Sequence, residues 1–175
     1  MVRRLGVMFT GVALFCCGAA SAEQPAGVAS EVKQAYESLK TNLIRTAEKV
    51  PDSDYSFKPT PDVRTFAEVM EHVISAQTRA CGAITGDHKT APANLNDKSA
   101  IVSALHDAFA LCDKAYGSLT DANMTETIQT PRGQHTRLAA LVGNTIHDAE
   151  QYGILSVYMR IKGIIPPSSE HSSSR

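Results

Sequence analysis

A chain of 175 residues, 43% hydrophobic and 20% charged with a formal net charge of −1, has the make-up of one ordinary globular domain. No block of Lys or Arg stands out, there is no Trp, and the 5 Phe and 5 Tyr are scattered. That excludes a strongly electrostatic partner such as nucleic acid, and also a base-stacking platform.

The chain opens as an export signal. Arg3 and Arg4 form a positive start, Leu5 to Ala19 is apolar, and Ala20-Ser21-Ala22 is a small-x-small cleavage site before Glu23. Residues 1–22 are therefore expected to be removed, leaving a periplasmic or secreted mature chain without a membrane span. The run is short for a membrane anchor. Leu14-Phe15 before Cys16 and Cys17 lacks the small residues of a lipoprotein signal, and Leu5-Gly6-Val7 after the arginines fits a twin-arginine signal poorly. Cleavage takes Cys16 and Cys17 away, and the mature chain keeps Cys81 and Cys112. In an oxidising compartment they are a disulfide candidate, with two buried thiols as the alternative.

Residues 23–27 read as a loose leader. A first helix is expected from about Val28 to Val50, with Val32, Tyr36, Leu39, Leu43 and Ala47 on one face, and Pro51 stops it. In the loop that follows, Tyr55 and Phe57 are expected to fold back onto the core. Thr65 and Glu68 form a capping box for a second helix, whose apolar stripe runs Phe66, Val69, Met70, Val73, Ala76, Ala80, Cys81, Ile84 and which Gly86 should close. A polar connection, Asp87 to Asn96, leads to a third helix from about Lys98 to Leu119. Its face carries Ile101, Leu105, Ala108, Phe109, Cys112, Tyr116 and Leu119. Residues 120–133 read as irregular. A fourth helix is expected from about Gln134 to Lys162, closed by Gly163 and barred from continuing by Pro166 and Pro167. No segment shows clean period-two alternation. The polar tail 168–175 is expected to be disordered.

Four long amphipathic helices predict an all-α protein, an antiparallel four-helix bundle over residues 23–167. Cys81 and Cys112 both fall on core-facing positions of neighbouring helices. If helices two and three are antiparallel, the two need some stagger to meet. No exposed stripe that would settle a homodimer stands out.

Nucleophile motifs and phosphate loops are absent, which leaves the six His. His88, His106, His135 and His171 sit in loops, at a helix start or on polar positions, where a solvated ring is expected. His72 and His147 are mid-helix at the edges of apolar stripes. Asn144, His147 and Gln151, spaced i, i+3, i+7, project from one side of the last helix. Two imidazoles on facing helices can bind a metal, and can equally be two partly buried rings with ordinary hydrogen bonds.

Three segments resemble the DinB-like superfamily: Phe66-Ala-Glu-Val-Met-Glu-His72-Val-Ile, His147-Asp-Ala-Glu-Gln151-Tyr-Gly153, and Tyr158-Met-Arg160-Ile-Lys-Gly163-Ile-Ile-Pro166-Pro167. The loop Asp54-Tyr-Ser-Phe-Lys-Pro59 is similar as well. The resemblance implies a four-helix bundle with a divalent metal, zinc or nickel, held by three His. It assigns His72 and His147 as ligands and puts Gln151 at the third position, where an amide oxygen is a poorer zinc ligand than imidazole. It makes Asn144 a supporting or substrate-contacting group. It also implies a metal-dependent hydrolase or thiol-dependent transferase with a small-molecule substrate, and a homodimer as in similar proteins. A non-catalytic binding or stress-related bundle with a degenerate metal site is the alternative that Gln151 favours.

Overall fold

The computed structural model describes residues 27–170, apart from 94, 96, 131 and 132. The expected export signal and cleavage site, residues 23–26 and residues 171–175 lie outside them. Four helices make up most of the described chain: α1 (Val28–Lys49), α2 (Phe66–Thr85), α3 (Lys98–Gly117) and α4 (Arg137–Ile161).

Six of the eight helix ends have a local chemical cause. Asp121 Oδ1 accepts from Ala29 N (2.8 Å) and satisfies a donor at the start of α1. The Thr65–Glu68 capping box is present, and Gly86 closes α2 in the left-handed conformation (φ 77°). Asp97 caps α3 and Thr136 caps α4. At the end of α4, Gly163 N donates to Arg160 O and Ile164 N to Met159 O, with Gly163 at φ 75°. This paired closure is the Schellman motif and needs the left-handed residue that glycine supplies.

Between α3 and α4 the structure differs from the sequence expectation. A two-stranded antiparallel hairpin, β1 (Thr127–Thr130) and β2 (Gly133–Thr136), replaces an irregular segment and delays the start of α4 to Arg137. Each strand has four residues, too few for alternation to show. Thr127, Ile128, Thr130 and Thr136 nevertheless supply the β-branched side chains that a pleated ribbon favours.

The helices form a ring in the order α1, α3, α2, α4. Their directions follow from a few contacts. Lys98 Nζ reaches Glu48 O and Val50 O (2.7 and 2.8 Å), so α3 starts where α1 ends and the two are antiparallel. Tyr158 OH donates to Arg64 O (2.9 Å), which sets α4 antiparallel to α2. After Gly86 the chain runs back along α2 until Leu95 N donates to Glu71 Oε1 (2.8 Å). Helices α2 and α3 are therefore parallel, and the stagger needed by an antiparallel pair does not arise. Cys81 and Cys112 stand at matching depths and are joined as a disulfide, with their Cα atoms 5.0 Å apart.

The core centres on a stacked pair, Tyr36 and Tyr116, with ring centroids 3.8 Å apart. Tyr55 is buried, packs edge-on against Phe66 and donates to Ala47 O (2.7 Å), while Phe57 packs on Tyr158. The loop aromatics thus fold back as expected. Ordered chain extends past residue 167: a 3-10 turn, Pro167–Ser169, lies beside α1, and Glu170 binds both Arg45 and Lys49. Among the described residues no helix is long and apolar enough to cross a membrane.

Candidate functional site

Helix α2 contributes His72 and α4 contributes His147. Their antiparallel packing brings the two Nε2 atoms to 2.9 Å, with ring centroids 4.9 Å apart. Both rings are half-buried, so the pair opens to solvent at the α2–α4 seam. Burial first, then the neighbouring His147, holds His72 below its ordinary value. Gln151, one turn after His147, is buried, and its Oε1 has no partner.

A polar network lies beneath the imidazoles. Asp148, completely buried, accepts from Gln77 Nε2 through Oδ2. Gln77 Oε1 accepts from Asn144 Nδ2 (3.0 Å), and Asn144 Nδ2 also reaches Tyr116 OH (3.1 Å). The Tyr116 hydroxyl in turn lies 2.9 Å from both Leu141 O and Thr145 Oγ1. The Gln77 amide rests against the disulfide. Asp148 Oδ1 and His147 Nδ1 are both buried without a hydrogen bond and stand 3.7 Å apart. That is beyond hydrogen-bond reach but within strong electrostatic range. Burial pushes the Asp148 carboxyl up, while His147 and Gln77 pull it down.

The structure therefore brings His72 and His147 together and sets Gln151 on the same side of α4, one turn on. Asn144 is tied to Gln77 and Tyr116 rather than to either imidazole. His106 pairs loosely with Glu48 at the surface (3.3 Å), His88 and His135 are in the loop and on β2, and His171 lies outside the described residues. Sequence reading did not single out Gln77 or Asp148. Gln77 had a visible signal: it sits one turn from both Val73 and Cys81, a polar residue in the middle of an apolar stripe.

Among the described residues no group of three His, Cys, Asp or Glu is placed to hold a metal ion. A surface depression of about 640 Å3 lies away from the imidazoles, between the end of α1 and the start of α3. Its Lys98 ammonium is engaged by the last carbonyls of α1.

Comparison with known proteins agrees with this architecture. A DinB-like protein from Bacillus cereus superposes with a TM-score of 0.64 at 18% identity, covering 78% of this chain and 93% of that one. A DinB-like protein from Bacillus subtilis gives 0.60 at 19% identity, covering 76% and 92%. No curated protein matches significantly. The sequence profile of the DinB superfamily matches residues 35–155, which run from α1 to the last third of α4 and include both imidazoles. With more than half its length under that profile and its four helices in a matching bundle, the chain belongs to the DinB superfamily.

Proposed function

We propose that His72 and His147, with Gln151 as a weak third ligand, hold a divalent cation in an exported protein. The convergence of the two Nε2 atoms at 2.9 Å carries this reading. The two nitrogens are at hydrogen-bond distance, and ligands about 2.1 Å from one tetrahedral ion would stand about 3.4 Å apart, so the rings would have to part by about 0.5 Å to admit it. The orphaned Gln151 Oε1 supplies an acceptor without a protein partner. The carboxylate behind His147 Nδ1 supports the same reading, since metal-bound imidazoles commonly present their other nitrogen to such a group.

In this reading His72, kept neutral by burial, offers a lone pair at neutral pH. With Asp148 Oδ1 3.7 Å behind its Nδ1, His147 would offer Nε2 to such an ion. A bound ion would supply Lewis acidity and an activated water or thiolate, the chemistry of a hydrolase or thiol-dependent transferase acting on a small molecule. An amide in place of imidazole makes the affinity lower than that of a three-His site. Gln151 equally favours a second reading, a non-catalytic binding or stress-related bundle with a degenerate site.

Zinc or nickel titration by calorimetry separates the two readings. Gln151→His should bind more tightly than wild type, and His147→Ala should not bind. If Gln151→His binds no better than wild type, the non-catalytic reading stands. Export rests on residues 1–22 and on the Cys81–Cys112 bridge, which suits an oxidising compartment. Mass spectrometry of the released protein should find Glu23 at its N-terminus, and a retained Met1 there would refute export with cleavage.

A further inference from the structure

The disulfide and the imidazole pair are the two ends of one chain of contacts. Gln77 Oε1 lies 2.6 Å from Cys112 Sγ and 3.8 Å from Cys81 Sγ, and the Gln77 backbone carbonyl lies 3.6 Å from Cys112 Sγ. The same side-chain amide turns its Nε2 to Asp148 Oδ2. Asp148 Oδ1 stands 3.7 Å behind His147 Nδ1, and His147 Nε2 meets His72 Nε2 at 2.9 Å. Cys81, Cys112, Gln77 and Asp148 are all completely buried.

Two features let this chain carry a change. The first is the contact of Gln77 with both sulfurs. Bonded sulfurs stand about 2.05 Å apart, inside ordinary contact distance, so breaking the bond drives them apart. A close-packed core has no spare room for that movement. Reduction also changes the chemistry at the contact. A disulfide sulfur has no proton, whereas a Cys112 thiol can donate to Gln77 Oε1, the atom that accepts from Asn144. The second feature is that Gln77 is the only hydrogen-bond donor to Asp148 among the described residues. A displaced amide leaves a buried carboxylate without a donor, and its place behind His147 is no longer fixed.

We propose that the Cys81–Cys112 bond sets the geometry of the imidazole pair through Gln77 and Asp148. The oxidised chain holds His72 and His147 ready for a divalent ion, and the reduced chain does not. Forming the bond takes two electrons and two protons from the two thiols. A disulfide oxidant accepts them by exchange and leaves as two thiols. The bond is out of reach of solvent in the folded chain, so it acts as an assembly step made during folding. The affinity half of this proposal rests on the ion-site reading above, whereas the coupling of bond to imidazoles stands without an ion.

The test compares the purified protein with its bond intact against the same protein unfolded in reductant and refolded without oxygen. Metal-free imidazole nitrogen spectra should show the His72 and His147 signals shifted by reduction and the surface His106 signal unmoved. Calorimetric titration with zinc or nickel should show affinity lower by at least about tenfold in the reduced form, the usual size of a lost supporting contact. Gln77→Leu cuts the relay with the bond intact. It should give the weak affinity and shifted imidazoles by itself, and reducing that variant should add nothing. If the reduced wild type does not refold, Gln77→Leu decides alone. Unchanged His72 and His147 signals, or an affinity that does not fall, overturns the proposal. If the oxidised protein binds neither zinc nor nickel, the ion-site reading fails and the imidazole signals alone decide the coupling.

Discussion

At the scale of single residues, Gln77 connects more of this molecule than any His does. Its amide donates to Asp148, accepts from Asn144 and lies against the disulfide, all out of reach of water. Gln77→Leu keeps the volume but strands a carboxylate oxygen and an amide N–H. Thermal or urea unfolding should show a loss of at least about 2 kcal/mol, since each buried group left unsatisfied costs about 1–3 kcal/mol. A loss below that would mean that water or a rearrangement satisfies both. Tyr36, Tyr55 and Tyr116 give the protein an alkaline limit. Burial raises all three phenols, Tyr116 to about 12. A group whose folded value is raised stabilises the native state below its unfolded value, here 10, and that stabilisation is lost as pH rises toward the folded value. Stability should therefore fall from pH 10 upward. Phenolate absorbance from these rings should appear together with unfolding rather than before it.

At the scale of elements, the helix ends carry local and separable energies. Thr65→Ala removes the side-chain half of the capping box and should cost about 1 kcal/mol. The bond from Thr65 N to Glu68 holds that carboxyl below its usual value. A depressed carboxyl stabilises the fold above its unfolded value of 4.5, and the contribution disappears as pH falls through the folded value. Glu68→Gln should flatten part of the acid limb of a stability–pH curve, and an unchanged limb would assign that limb to other carboxylates. Gly163→Ala forces an alanine to φ 75° in the Schellman closure and should cost about 1–2 kcal/mol.

At the scale of the whole molecule, the ring order α1, α3, α2, α4 makes α2 and α3 parallel neighbours, and the disulfide joins them across 31 residues of sequence. Closing a loop of that size stabilises the folded state by roughly 3–4 kcal/mol in the chain-entropy account. The Cys81→Ser, Cys112→Ser double variant should lose about that much, and reductant should lower the wild-type melting temperature but not that of the variant. If reductant changes neither, the two sulfurs are not bonded in solution. The segment that returns from Gly86 to the start of α3 is what makes this parallel pairing possible, and Glu71 holds it at Leu95.

What the sequence by itself determined is local or periodic. Capping boxes, prolines and left-handed glycines are read over a few residues, so the four helices and their ends were legible. The stripes on α2 and α3 marked Cys81 and Cys112 as core-facing, which made them a disulfide candidate, while their matching depth comes only from the parallel pairing of the two helices. His72 and His147 were legible as candidates because each lies mid-helix at the edge of an apolar stripe, where two facing helices can bring imidazoles together. Tertiary structure alone decided the rest. The direction of α3 depends on how far the 86–97 connection travels, which no periodicity records. The hairpin strands are too short to show alternation, and their pairing is made across the chain. The buried link from Gln77 to Asp148 joins residues 71 positions apart. The sides of α4 were not legible either: Asn144, His147 and Gln151 read as one polar side, yet Asn144 and Gln151 are buried while Ile146, Val157 and Ile161 are exposed. Only the placement of α1 and α2 shows which of those sides the bundle leaves uncovered.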